Sequence, residues 1–537
     1  MSAATRLRRL DEAADIVVLE RSGNVSFANC GLPYHVGGAI PEREALLLQT
    51  PESLESRFAL DVRVNSEVTA IDPATHVVSV RDIHTDAQYD LSYDALLLAP
   101  GARPVRPPLP GIERALALRD VEDTDRIVAA VGDARTAVVI GGGFIGLELA
   151  ENLAHRGLAV TIVEATGQVM PPIDPEMVTP VHEVLLEHGV DLRLGTAVEA
   201  ITSDAVLLST GESIPGDLVV AAVGVRPESD LAKAAGLEVA DRGGIVVDET
   251  FRTSDPHIYA VGDAVTKYDA IDGSPVLVPL ANTANLQGRR AADAMTGRSA
   301  HDRPVLGTAI VGVFGLQVAT TGWNEKRLRA AEREYRVIHT HPGDHAGYYP
   351  GAERMSLKLL VDPETDAILG AQGVGRAGVD KRIDVIATAM STGLSASGLA
   401  ELELAYAPQF GSAKDPVNML GYIAENLRDG VTRSIQWHEL EDALEAGATL
   451  VDVRSAEEHE RKRIPGALNI PVDELRSRLD EIPTGPLVVH CAVGQRGHTA
   501  TRILTQSGRE HVLNLDGGYD TWRAGTMSAQ PAPAPAH

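Results

Sequence analysis

The stretch Thr136-Ala-Val-Val-Ile-Gly-Gly-Gly-Phe-Ile-Gly-Leu-Glu-Leu-Ala-Glu-Asn-Leu153 decides the fold. Its first five residues have the apolar, β-branched character of a buried strand, and they run straight into a G-x-G-x-x-G loop at Gly141, Gly143 and Gly146. Phe144 and Ile145 fill the loop, and a helix-forming run follows it. A strand feeding such a loop into a helix lets backbone N–H groups and the helix N-terminus hold a pyrophosphate. The next expected strand, Thr161-Ile-Val-Glu164, places an acid about 20 residues on, suited to a ribose 2′-hydroxyl. Glu164 would repel a 2′-phosphate, so NADH is favoured, with NADPH the other possibility.

Outward from this unit, apolar runs of strand length recur at Ile16–Leu19, Ala95–Ala99, Ala159–Val163, Leu218–Val223 and Gly244–Val247, with helical patterns between them. That alternation implies an α/β fold of parallel sheets covered by helices. From about Thr308 the pattern changes to longer strands and two helices, closing near Gly430, and a fresh α/β unit starts at Ser434. Its expected strands are Thr449–Val453, Leu487–His490 and Val512–Leu515. At 537 residues the chain is well past the ~250–300 at which a single core stops growing, so several domains are expected. Forty-eight Lys and Arg against 75 Asp and Glu leave a net charge of −27, which argues against nucleic acid or an anionic membrane as partner. No apolar run approaches the ~18–20 residues of a membrane span, and the N-terminus lacks the apolar core of a secretory leader, so a cytoplasmic protein is expected. Two cysteines, Cys30 and Cys491, are too few for a disulfide framework.

A second acid-tipped strand, Ile16-Val-Val-Leu-Glu20, followed by Arg21 and preceded by an expected helix Ser2–Leu10, looks like part of another dinucleotide unit. Its own glycine loop is expected upstream of Met1, by about a dozen residues, which N-terminal sequencing of the native protein would test. Thr253-Ser-Asp-Pro-His-Ile-Tyr-Ala-Val-Gly-Asp263, continuing into Ala264, is a short strand ending in Gly262-Asp263. It resembles the flavoprotein motif whose Asp binds the ribityl chain of FAD. Leu96–Gly101, with Ala99 and Gly101, and Val219–Gly224 resemble strand-to-glycine connectors between nucleotide domains. Residues 1–430 together resemble the two-dinucleotide-fold disulfide reductases. That implies two Rossmann-like domains, an FAD-binding domain over 1–105 and 230–303 and an NAD(P)H-binding domain over 106–229. An α+β dimerisation domain over 304–430 would follow.

Cys30 is the one cysteine of the first 433 residues, so no internal redox disulfide can form around it. Its chemistry must run through a mixed disulfide with a substrate thiol, a persulfide or a sulfenic acid. The segment Ser26-Phe-Ala-Asn-Cys-Gly-Leu-Pro-Tyr-His-Val-Gly-Gly38 closely resembles the coenzyme A-disulfide reductase family. The likeness continues at His345–Ala352, Leu404–Phe410 and Ser412–Gly421. In that family a single cysteine alternates between thiol and mixed disulfide with CoA. The resemblance implies that Tyr348 and Tyr406, supplied by the partner subunit of a homodimer, protonate the leaving thiolate. Consistent with this, no histidine occurs between 401 and 430, and Phe410 stands where a further tyrosine could. It also implies CoA contacts from Arg6, Arg9, Ser26, Asn29 and Lys414. Arg6 and Arg9 are i, i+3 neighbours on one helix face.

The segments Leu450–Arg454, Arg463–Pro471, Val488–Arg496 and Asp516–Trp522 together resemble a single rhodanese domain, over 434–526, before a Pro/Ala tail at 527–537 expected to be disordered. Cys491 ends a strand and opens a loop whose N–H groups can converge on its sulfur, with Arg496 adding positive charge, an arrangement that stabilises a persulfide. The C-x4-R spacing is shorter than the C-x5-R loop of related phosphatases, which favours sulfur over phosphate.

The expected activity is that of a CoA-disulfide reductase or NADH-dependent persulfide reductase, a flavoprotein acting on CoA disulfide, CoA persulfide or polysulfide through Cys30. A hinge near Leu427–Thr432 would give the fused sulfurtransferase its reach. The alternatives are an NADH oxidase or peroxidase working through a Cys30 sulfenic acid, and a non-catalytic sulfur carrier that has no need of Cys30.

Overall fold

A computed structural model describes residues 1–529, and the chain divides into two units. The first comprises Met1–Ala165 and Gly189–Gly307, and the second Thr166–His188 with everything from Thr308 onward.

In the first unit the strand Thr136–Ile140 is central to a four-stranded parallel sheet, in the order Asp191–Arg193, Ala159–Val163, Thr136–Ile140, Leu218–Ala221. Val138, Val139 and Ile140 are buried, as strands covered on both faces require. The expected second nucleotide unit is present as two separate parallel pairs, Val17–Leu19 with Asp61–Arg63 and Leu96–Leu98 with Ile258–Ala260. Leu19 packs on the same apolar cluster as Leu98, Ile258 and Ala260. The helix Ser2–Leu10 forms as expected. Arg8 is buried there, its guanidinium donating to the carbonyls of Phe58, Ala59, Asp11 and Glu12. Gly244–Val247 is not the strand expected: only Ile245 makes isolated bridges, to Val239 and Val265. Its alternating apolar residues fill the core without a ladder to extend.

The second unit holds two sheets. One is antiparallel, in the order Ala309–Val313, Leu316–Gly322, Ile368–Gly375, Met355–Val361, Arg336–Thr340. Its core is closed by the helices Val379–Ser391 and Pro416–Arg428. A third helix, Glu325–Ala330, was not expected; the Asn324 side chain caps it by accepting from the Arg327 N–H. The other sheet is parallel, in the order Ser434–Ile435, Val512–Leu515, Leu487–His490, Thr449–Asp452, Leu468–Asn469. The final helix, Gly518–Ala529, takes in residues 527–529 of the expected tail, and the remainder of that tail lies outside the described residues. The hinge expected near Leu427–Thr432 is tied down. Thr432 is buried and its hydroxyl is 2.6 Å from His498 Nδ1, while Arg502 donates to the Val431 carbonyl.

The segment 166–188, with its helix Pro175–Glu187, packs into this second unit through a buried ion cluster. Lys358 Nζ lies 2.8 Å from Asp174 and in contact with Glu176 and Glu325. Burial works against every charge here, yet the Lys358 ammonium holds Glu176 far below the usual carboxylate range, and the carboxylates push Lys358 up. Removing one partner of a buried ion pair costs about 3–5 kcal/mol, because the other charge is left uncompensated. Lys358→Met is expected to lower the thermal unfolding midpoint of the second unit by about 10 °C, measured by calorimetry; a shift within about 2 °C would contradict this account of the cluster.

Candidate functional sites

In the dinucleotide cradle of the first unit, Gly141 has φ +104°, the left-handed region in which a side chain would be strained. A side chain at Gly146 would overlap the Gly141 carbonyl, so glycine there lets the helix Phe144–His155 pack directly on the loop. Nothing lies within 4 Å of where a Gly143 Cβ would stand, which leaves that backbone open to a phosphate. Phe144 and Ile145 begin the helix, with Ile145 exposed. Glu164 Oε2 accepts from the Gly142 N–H at 2.8 Å, joining the acid to the loop. Gly224, at the end of the connector after Leu218–Ala221, also has φ +104°. This cradle fits a dinucleotide with a free ribose hydroxyl.

Among the FAD candidates, Gly262, Asp263 and Ala264 form a short 3-10 turn. The Gly262 N–H donates to Gln287 Oε1, and Lys267 Nζ donates to the Gly262 carbonyl at 2.8 Å. Asp263 Oδ1 is buried without a hydrogen-bond partner, and burial pushes its carboxyl up against the pull of Lys267 and Arg119. A buried carboxylate oxygen left over in this way fits a polyol hydroxyl. Gly101, two residues after the exposed Ala99, has φ +74° and lies against Arg119. Glu20 ends its strand and accepts from the Ser22 N–H at 2.7 Å, while Arg21 is exposed.

Cys30 is a free, exposed cysteine in a 3-10 turn, Asn29–Gly31, that leads into the helix Leu32–Val36. Burial by its surroundings and the nearby Glu148 and Asp263 carboxyls push the thiol up. Sequence reading missed two residues here. Tyr34, one turn after Cys30, donates to Glu148 Oε1 at 3.1 Å, joining the cysteine helix to the dinucleotide-binding helix. Burial raises the Glu148 carboxyl, and burial with Glu148 raises the Tyr34 phenol. A signal existed: Glu148 is the acid between the fully buried Leu147 and Leu149.

The expected CoA contacts separate. Arg6 is committed to Asp293, with Nε at 3.0 Å and Nη2 at 2.7 Å from one carboxylate oxygen. Arg9 is exposed, its guanidinium 6.0 Å from the Phe58 ring centroid. Ser26 is half-buried in the short strand Ser26–Phe27, and Asn29 and Lys414 are exposed.

In the second unit the structure brings Tyr348 and Tyr406 together, with their hydroxyls 2.7 Å apart. They stand 76% and 47% exposed beside a chain that also exposes Phe410 at 73%. The hydrogen bond to Tyr406 raises the Tyr348 phenol, which keeps it protonated and able to donate.

Cys491 is fully buried at the end of the strand Leu487–His490, and its sulfur accepts from the Gly494 N–H at 3.2 Å. Arg496 opens the helix Gln495–Gln506 in a two-bond pairing with Glu458, at 2.7 Å each. That pair holds the Glu458 carboxyl down at about 2 and fixes the guanidinium, which also senses the Cys491 sulfur.

The pyridine nucleotide-disulphide oxidoreductase model matches residues 1–288, its dimerisation-domain model 308–416, and the rhodanese-like domain model 436–525. The chain is 33% identical over 427 residues to the coenzyme A disulfide reductase of Staphylococcus epidermidis, covering 79% of this chain and 97% of that protein. Among solved structures it is similar to reduced Bacillus anthracis CoADR-RHD, at 47% identity and TM-score 0.96, covering 98% of this chain and 96% of the other. It is also similar to an NAD-dependent persulfide reductase from A. fulgidus, at 39% identity and TM-score 0.91, covering 97% of each chain. Among the described residues no helix is long and apolar enough to cross a membrane.

Glu164→Ala removes a charged hydrogen-bonding group from the cradle. It is expected to raise the KM for NADH about 10- to 100-fold and to raise that for NADPH less. Steady-state kinetics with both nucleotides reads this out, and an unchanged KM would contradict it.

Proposed function

Because the chain belongs to the pyridine nucleotide-disulphide oxidoreductase family, we propose that it is an FAD-dependent enzyme that uses NADH to cleave a sulfur–sulfur bond formed at Cys30. Its substrates are CoA disulfide and, through the fused rhodanese domain, CoA persulfide derived from polysulfide. The observation that carries this reading is the exposed Cys30, with no second cysteine nearer than Cys491 in the sequence and with the dinucleotide-binding helix tied to its own by Tyr34 and Glu148. A lone thiol needs the second sulfur from its substrate.

When bound, FAD held at Asp263 and NADH held at the Gly141–Gly146 loop with Glu164 would supply the electron pair. The Cys30 thiolate attacks one sulfur of CoA disulfide, forming a Cys30–S–S–CoA bond and releasing one CoA thiolate. The electron pair then breaks the mixed disulfide, returning Cys30 to the thiolate and releasing the second CoA thiolate. With CoA persulfide, Cys30 attacks the inner sulfur and displaces hydrosulfide. The Tyr348–Tyr406 pair serves as the acid: one phenol donates to the other, whose own O–H stays free for the leaving thiolate. We place this pair across a homodimer interface, a reading supported by the exposed Tyr348, Tyr406 and Phe410. Of the expected CoA contacts, Arg9 and Lys414 keep exposed charge for phosphate, whereas Arg6 holds its helix to Asp293. At Cys491 a persulfide passes its outer sulfur to a CoA thiolate, regenerating the Cys491 thiolate and forming CoA persulfide. A cytoplasmic setting agrees with two free cysteines and a net charge of −27.

Anaerobic NADH oxidation by FAD-loaded protein tests the assignment. Cys30→Ser is expected to lose at least about 99% of turnover with every sulfur substrate. Cys491→Ser should keep CoA disulfide turnover within about twofold while losing at least about tenfold with polysulfide and catalytic CoA. Full activity of Cys30→Ser would overturn the reading, and NADH oxidation that appears only when oxygen is readmitted would assign an oxidase. Tyr348→Phe and Tyr406→Phe should each slow CoA disulfide turnover about 10²-fold or more, and unaltered rates would remove the pair from the mechanism.

A further inference from the structure

The turn that follows Asp516 packs against the Cys491 loop and is bound on its far side to the antiparallel sheet. Asp516 follows the strand Val512–Leu515 and is buried. Its Oδ2 lies 2.6 Å from His339 Nδ1, and its two carboxylate oxygens accept from the His339 backbone N–H at 3.2 and 3.0 Å. His339 belongs to the strand Arg336–Thr340, and its other ring nitrogen is 3.0 Å from Glu176 Oε1. Glu176 is in turn held by Lys358. Each ring nitrogen therefore faces a carboxylate, which only an imidazolium, a donor at both nitrogens, can satisfy. Burial opposes that charge, but Asp516 and Glu176 outweigh it and push the imidazole up to about 9.

From Asp516 the chain turns through Gly517 and Gly518, both at φ +65°. A Cβ on Gly517 would meet His339 Cβ at 2.8 Å, and one on Gly518 would meet the Cys491 carbonyl at 2.6 Å. The Tyr519 N–H donates to that same carbonyl at 2.8 Å, and the Asp520 N–H to that of Ala492 at 2.9 Å. One turn thus touches His339 on one side and the backbone of the reactive cysteine on the other. Around it, His341 meets Thr521 at 2.7 Å, Thr179 donates to the Ala524 carbonyl at 2.8 Å and Arg523 pairs with Glu183 at 2.8 Å.

We propose that His339 is a positioning residue for the sulfurtransferase half-reaction: its bonds to Asp516 fix the Cys491 loop on the antiparallel-sheet domain, so the rhodanese domain works docked rather than swinging. The coupled kinetics rest on the function proposed above, whereas the docking itself does not. Glu176 and Asp516 face the imidazole directly. Lys358 lies behind Glu176, with Asp174 and Glu325 around it, and the neighbouring His341 is held neutral, its imidazole pushed down to about 3 by burial, His339 and Arg354. Because docking raises the His339 pKa above its ordinary value, its contribution is full below about pH 6.5. It is lost as pH rises through about 9.

The test is hydrogen exchange on the full FAD-loaded protein, wild type against His339→Gln. Peptides spanning 491–497 and 516–523 are expected to exchange about tenfold faster in the variant, with Leu487–His490 and the antiparallel sheet unchanged. After correction for intrinsic rates, the wild type should loosen in those two peptides above about pH 9 and the variant should show no such step. Glu176→Gln, which keeps the shape and removes one charge, should loosen them about threefold. Identical exchange and pH response in His339→Gln and wild type would overturn the proposal, as would uniform loosening of the whole unit, which marks lost folding rather than lost positioning. In the same preparation CoA disulfide turnover should stay within about twofold and polysulfide-dependent NADH oxidation should fall about tenfold. A polysulfide rate that holds while the loop loosens would count against the coupled function and leave the docking standing.

Discussion

An ammonium group in the protein interior dictates the arrangement of the second unit. Lys358 is fully buried, and a lone charge there would cost several kcal/mol in lost hydration. Three carboxylates therefore have to reach it: Asp174 and Glu176 from the segment 166–188, and Glu325 from the start of a short helix. They draw the helix Pro175–Glu187 against the antiparallel sheet, where it meets the final helix, Gly518–Ala529, through Thr179 and Glu183. Such a cluster adds less stability than a well-packed apolar core would, but it admits one arrangement of its partners. The three carboxylates lie close enough together for a cation, and Lys358 is that cation.

The two cysteines stand in contrasting environments. Cys30 is a free, exposed cysteine whose thiol is pushed up by burial and by the Glu148 and Asp263 carboxyls. Cys491 is buried, with the Gly494 N–H donating to its sulfur and the Arg496 guanidinium held in place by Glu458. These two are the only cysteines of the sequence, so neither has a neighbouring cysteine along its own stretch of chain.

The parts legible in the sequence are those whose geometry is local. Gly141, Gly143 and Gly146 follow one strand and open one helix, and Glu164 ends the adjacent strand, so spacing alone places them together. The Cys491 loop is likewise a strand, a turn and a helix in sequence order. What stayed hidden depends on distant partners. Arg6 reads as a free phosphate ligand until Asp293, 287 positions away, takes its charge. Thr432 reads as a hinge until His498 bonds it. Nothing in the sequence marks His339, and only the fold brings Asp516 and Glu176 to its two nitrogens. The pairing of Tyr34 with Glu148 was hidden for the same reason, although an acid between two buried leucines was a clue.

The central claim is that Cys30 takes its second sulfur from the substrate. The direct test is intact and peptide mass spectrometry of FAD-loaded protein exposed anaerobically to CoA disulfide, before and after stoichiometric NADH. The account predicts a CoA adduct confined to the Cys30 peptide that disappears as NADH is consumed. A Cys30 peptide that never carries CoA, and instead reacts with a sulfenic-acid probe after exposure to oxygen, would contradict it.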